Sequence, residues 1–168
     1  MGRAPAALGG GGFVMILLAL LIGIIAGLRT MMAPTAIAWA AATGGLDLAG
    51  SWLAFLGARY TPWIFTALAL GELVTDKLPV TPSRKTPPQF IARLISGGLG
   101  GAAIGIGVGS LWFGLALGVV GAVIGTFGGA AARGWLAARL GSDRPAALIE
   151  DAVAIGGAML VFAALGSV

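Results

Sequence analysis

Between Leu94 and Ala132 the chain runs for 39 residues without a charged side chain. Wound as a single α-helix at 1.5 Å per residue, this run would be about 58 Å long, nearly twice the ~30 Å hydrocarbon core of a bilayer. It must fold back on itself as a hairpin of two spans, and Gly109-Ser110 is the natural turn. The rest of the chain supports a membrane setting. It is 58% hydrophobic and 10% charged, with a mean hydropathy of +1.01. Soluble domains carry roughly 25% charged residues. Too little polar side chain is present to cover a globule in water.

Other apolar runs extend the count. Residues 1–12, MGRAPAALGGGG, read as a disordered lead, and Phe13 to Leu28 is a charge-free run of 16 residues. No A-x-A cleavage site follows it directly and Arg29 closes the run, so it reads as a retained anchor rather than a signal peptide. Apolar character continues to Ala42, and Pro34 would remove the hydrogen bond to residue 30. The expectation is one span over 13–42 with a break near 29–34, a helix-break site that groups Arg29, Thr30 and Pro34. Further spans are expected over 62–77, 91–109, 111–133 and 146–165. Trp52, Tyr60 and Trp63 resemble an interfacial aromatic belt. The chain is therefore expected to be all-α: a polytopic membrane helix bundle of about five spans, in one domain covering 13–166.

Lysine and arginine set the orientation. Lys77, Arg84, Lys85 and Arg93 cluster around the second loop, and Arg133, Arg139 and Arg144 around the fourth; the alternate loops hold only Arg59. By the positive-inside rule the N-terminus is expected in the cytoplasm and the C-terminus outside. The same rule accounts for the net charge of +4 without nucleic acid: cationic loops face anionic lipid.

Thirty glycines need a cause. Gly97, Gly101 and Gly105 recur every four residues, as do Gly121, Gly125 and Gly129. This spacing lines one helix face with small residues and lets membrane helices approach closely. Two helices are expected to pack along these stripes. The GxG triplets do not suggest a nucleotide site, because no strand precedes them and no acidic ribose partner follows. One step of four beyond the stripes lie Arg93 and Arg133. At the same depth the chain offers Glu72 and Asp76, one turn apart, together with Lys77, Glu150 and Asp151. Charges inside a bundle are costly singly and less so in pairs, so a polar cluster is expected at the cytoplasmic mouth. The plainer reading is of snorkelling charges and helix caps. Arg29 is expected apart from this cluster, on the opposite side of the membrane or near mid-depth. A short echo, GIIAG (23–27) before ALALGE and GAVIG (121–125) before AALIE, points to a partial inverted repeat of the kind many transporters use.

Four segments, GLRTMMAPTAIAW, ELVTDKLPVTPSR, GTFGGAAARGWLAARLG and ALIEDAVAI, together resemble a bacterial inner-membrane family catalogued as domain of unknown function 4126 (DUF4126). The resemblance covers nearly the whole stretch from Phe13 to Val161. It implies a multi-pass protein of the bacterial inner membrane and points to Arg29, Glu72, Asp76, Lys77, Pro79, Arg133, Glu150 and Asp151. It names no activity and no substrate.

With neither Cys nor His in the chain, thiolate chemistry, Cys/His metal sites and the commonest general base are excluded. Asp76 and Asp151 lack the G-x-G-D context of an intramembrane aspartyl protease. No enzyme, metal or cofactor is expected. Translocation of a small solute or ion through a homo-oligomer is the leading expectation. The alternative is an accessory or scaffold subunit of a larger membrane complex.

Overall fold

The computed structural model describes residues 10–76 and 86–167. Lys77, Pro79, Arg84 and Lys85, and most of the expected lead, lie outside the described residues. Six helices follow in order: α1 Gly10–Leu28, α2 Met32–Ala42, α3 Thr61–Thr75, α4 Pro87–Gly107, α5 Leu111–Leu140 and α6 Asp143–Leu165. A short 3-10 turn, Ala54–Gly57, lies between α2 and α3. Among the described residues there is no strand. Four helices, α1, α4, α5 and α6, are long and apolar enough to cross a membrane. The chain is an all-helical, multi-pass membrane-type bundle.

Local sequence sets the boundaries. Prolines open α3 and α4, where a missing N–H costs nothing. Gly109, with φ +70, makes the α4–α5 turn, and Gly141, with φ +68, terminates α5 in the left-handed conformation that glycine adopts without strain. The hairpin expected from the long uncharged run thus forms at Gly109-Ser110. α5 runs two turns past its expected end at 133. α3 has 15 residues, about 22 Å, and falls short of a full crossing.

Helix directions follow from neighbours at glycine positions. Gly97 faces Gly118, Gly101 faces Gly114 and Gly118, and Gly105 faces Ser110 and Gly114, so α4 and α5 are antiparallel. Gly23 meets Gly118 and Gly27 meets Gly125 and Thr126, so α1 runs parallel to α5. Ala33 lies beside Gly100, and farther along the chain Leu46 lies beside Gly107. The chain after the break therefore runs parallel to α4 and antiparallel to α1.

Three expectations are corrected by these directions. Residues 13–42 are not one interrupted span, because the chain reverses at Arg29–Met31 and α1–α2 is a helical hairpin. The break falls at these residues, inside the expected 29–34, and Pro34 itself lies within α2. Pro34 is the third residue of α2, where its N–H would have had no helical partner in any case. As a further consequence, the two ends of the bundle's chain come together. Gly11 shares a cavity with Gly45, Asp47 and Val108, and Gly45 packs on Gly166. The first and last described helices start and finish at one end of the bundle, not at opposite ends. The segments GIIAG and GAVIG lie on the parallel helices α1 and α5, so no inverted repeat relates them.

The glycine stripes do bring backbones together, but they serve three helices. A Cβ at Gly97 would lie 2.7 Å from the Gly118 carbonyl oxygen, and one at Gly105 would lie 2.7 Å from that of Ser110. Gly121 and Gly125 instead press on α1 at Leu20, Gly23, Ile24 and Gly27. Gly129 is half-buried farther along α5. α5 thus uses one glycine face for α4 and a second for α1. In a bilayer, where apolar burial adds little between helices, close backbone approach is a main source of association.

This geometry sets an expectation for stability in detergent. Gly101→Leu and Gly125→Leu each push a side chain into a neighbouring backbone, and overpacking of this kind costs about 1–3 kcal/mol or more. Gly128→Leu and Gly156→Leu point into open space and should leave the unfolding temperature unchanged. Thermal melts of the four variants test the assignment, and equal melting temperatures would contradict it.

Candidate functional site

The site is built around the chain reversal. Where α1 stops, its last carbonyls lose their helical partners, and where α2 starts, its first amides do the same. Arg29 N still bonds Ile25 O at 2.8 Å, and Met32 N reaches Arg29 O at 3.3 Å. Side chains from other helices fill what remains. Arg93 of α4 donates through NH1 to the carbonyls of Gly27 at 2.7 Å and Leu28 at 2.8 Å. Glu72 of α3 accepts from Thr30 N on one oxygen and from Met31 N on the other, each at 2.7 Å. Ser96 Oγ donates to Thr30 O at 2.5 Å. A guanidinium thus sits at the negative end of α1 and a carboxylate at the positive end of α2, each favoured by the helix dipole it meets. Arg93 NH2 and Glu72 lie 4.0 Å apart.

Arg29 occupies the centre. Its side chain is fully buried and forms ion pairs with Asp76, which caps the end of α3, and with Asp151 of α6. One cation therefore ties three elements together at the reversal. Farther out, Arg133 of α5 makes a two-pronged contact with Asp143, Nε to one oxygen at 2.9 Å and NH2 to the other at 2.6 Å. Its NH1 lies 3.5 Å from Glu150. The arrangement has two tiers, an inner one of Arg29, Arg93, Glu72, Asp76 and Asp151, and an outer one of Arg133, Asp143 and Glu150. Glu150 and Asp151 are adjacent on α6 and connect the tiers.

All six described residues expected to form the cluster (Glu72, Asp76, Arg93, Arg133, Glu150 and Asp151) lie at this one end. Lys77 lies outside the described residues. The expectation that Arg29 stands apart from the cluster is corrected: it pairs with Asp76 and Asp151 and is the hub of the cluster, because the chain turns back there instead of continuing. Arg133, expected on a tight face, is partly exposed, with 20% of its side chain accessible.

Sequence reasoning missed two participants. Asp143 opens α6 ten residues after Arg133, and their pairing depends on the tight turn at Gly141. Ser96 is the lone polar residue between Arg93 and the glycine stripe. Its hydroxyl could be assigned only once the Thr30 carbonyl was known to lie opposite.

The arrangement defines a membrane bundle with a broken-helix hairpin and a buried ionic centre. Among the described residues no group of Asp or Glu is disposed to hold a metal ion. No protein-family model matches the chain, and neither a curated protein nor a solved structure does.

Burial separates the arginines energetically. Removing one partner from a buried ion pair costs about 3–5 kcal/mol, since the other charge stays desolvated, while an exposed pair contributes about 0–1 kcal/mol. Arg29→Gln, which breaks two buried pairs, should therefore lower stability more than Arg133→Gln, whose nearest partner Asp143 is 62% accessible and whose buried partner Glu150 is 3.5 Å away. Adding Asp76→Asn to Arg29→Gln should recover part of the loss. Unfolding in detergent measures both effects. Equal losses for the two arginines, or strict additivity with Asp76→Asn, would contradict the geometry.

Proposed function

We propose that this protein translocates a small solute or ion across a bacterial inner membrane, working as a homo-oligomer. The observation that carries the proposal is the buried cluster of ion pairs at the reversal where α1 ends and α2 begins. Ionisable groups at membrane depth are expensive and usually mark a pathway or a binding site. Helix breaks whose ends meet charges are how many transporters build such sites. Depth supports the reading. On α5 the exposed Trp112 and Trp135 are about 35 Å apart at 1.5 Å per residue, close to the spacing of interfacial belts around a ~30 Å core. Gly27, two residues before the reversal, faces Thr126, between those two tryptophans. Irregular backbone at such depth is tolerated when it is buried in protein or lines a cavity.

Arg93, Arg133, Arg139 and Arg144 lie toward the cluster end, which makes that end cytoplasmic in this proposal. Gly10 and Leu165 then both belong to the outer side. A single chain encloses little volume around the centre, so the pathway would run through or beside a subunit interface.

Flux into proteoliposomes tests the proposal. The protein should conduct or transport at least one member of a panel of ions and small solutes, Arg29→Gln should abolish that flux, and Arg59→Gln should not. A folded, reconstituted protein with no flux above protein-free vesicles for the whole panel would overturn it. The open positions at Gly128 and Gly134 on α5 and at Gly156 on α6 favour a second reading, a subunit of a larger complex. Stoichiometric partners recovered in mild detergent, together with absent flux, would favour that reading.

A further inference from the structure

We propose that α3 is a lid over the ionic centre, hinged at its Tyr60–Pro62 end and latched at its other end by Glu72 and Asp76. This rests on the site described above, but not on transport.

α3 differs from every other long helix in how it is held. Of its 15 residues only Pro62 and Ala69 are buried. It packs on α2 and on the Ala54–Gly57 turn, outside the glycine-knitted set of α1, α4 and α5. A Cβ at Gly71 would meet nothing within 4 Å. On each side of the α2–α3 contact lies an apolar cavity. One, of about 370 Å³, opens between Met32, Trp39, Thr66 and Phe162; the other, of about 260 Å³, opens between Pro34, Phe65, Ile95 and Leu99. A helix with few buried apolar contacts and a groove on each flank belongs to the low-stability end of a fold.

Its two ends are nevertheless fixed, and by different chemistry. At the hinge end, Thr61 Oγ1 donates to Phe55 O at 2.8 Å and Trp39 Nε1 donates to Thr66 Oγ1 at 3.0 Å. The Trp39 and Trp63 rings meet edge to face, 5.0 Å apart. At the latch end the ties are ionic or charge-assisted: Asp76 to Arg29, and Glu72 to the amides of Thr30 and Met31. Phe65 and Leu73 pack half-buried against the core, and among the described residues the two carboxylates are the charged ties that hold the latch end closed. Swinging the latch end outward uncovers Arg29 and the start of α2 and joins the flanking cavities to them. The glycine-packed helices need not move.

Spin-label distances in nanodiscs test this. The chain has no cysteine, so labels go only where cysteines are introduced. A lid pair, Val74→Cys with Phe113→Cys, reports on the latch end of α3; a reference pair, Val108→Cys with Ile124→Cys, reports on the α4–α5 hairpin away from both cavities. All four positions are exposed. Glu72→Gln and Asp76→Asn should each add a longer-distance population to the lid pair and leave the reference pair unchanged. Losing one charged hydrogen bond costs about 1.5–3 kcal/mol, so the open fraction should rise at least about tenfold. The unsubstituted latch is measured as well, on warming, where the lid distances should broaden before the reference distances. A lid pair that stays narrow in both latch variants overturns the proposal, as does one that broadens only together with the reference pair, in the variants or on warming. Because the readout is a distance, a lid that fails here leaves the flux result standing, and absent flux leaves the lid standing.

Discussion

The rest of the structure is organised around the buried guanidinium of Arg29. A chain reversal deep in an apolar bundle exposes carbonyls and amides that water cannot reach, and each unsatisfied group there costs several kcal/mol. Here those groups are met from three directions: by Arg93 and Ser96 on α4, by Glu72 on α3, and by the reversal's own remaining helical bonds. Arg29 then draws Asp76 and Asp151 inward. Four helices besides α1 are thereby registered to one point. The polar residues of the chain are few, and most of those described at this end are committed to that task.

Packing supplies the complementary constraint. Membrane helices gain little from excluding lipid from one another, so association depends on fit and on hydrogen bonds. Gly97, Gly101 and Gly105 let α4 rest on α5, while Gly121 and Gly125 let α1 rest on another side of α5. This three-helix set brings Arg93 level with the end of α1, within reach of the carbonyls of Gly27 and Leu28. The glycine stripes and the ionic centre are therefore one arrangement. Without the close approach of α1, α4 and α5, the arginine could not reach the broken helix end.

Much of this was legible in the residues. The uncharged run with a turn at Gly109, the helical class, the small-residue faces and the gathering of Glu72, Asp76, Arg93, Arg133, Glu150 and Asp151 all follow from spacing alone. The direction of α2 did not. A break at Arg29–Met31 is compatible with a kink, a continuation or a reversal, and only tertiary partners choose among them. Glu72 and Ser96 make that choice from more than forty residues away in sequence. Taking the segment as a continuation set Arg29 apart from the cluster and put the two ends of the bundle's chain on opposite sides. The proline at 34 marked the neighbourhood of the break but not its kind, since proline is as suitable for starting a helix as for breaking one. Stripes of glycine likewise announce close packing without naming which of several helices receives it.

The reversal can be examined directly, through the side of the membrane on which the start of α1 lies. With single cysteines at Gly11, Asp143 and Ser167 in vesicles of known orientation, a membrane-impermeant thiol reagent reads the exposed side of each. The account predicts that Gly11→Cys and Ser167→Cys react from the same side and Asp143→Cys from the other. Labelling of Gly11→Cys from the side of Asp143→Cys would mean that α1 and α2 cross as one continuous segment. That result would contradict the hairpin and the central position of Arg29 with it.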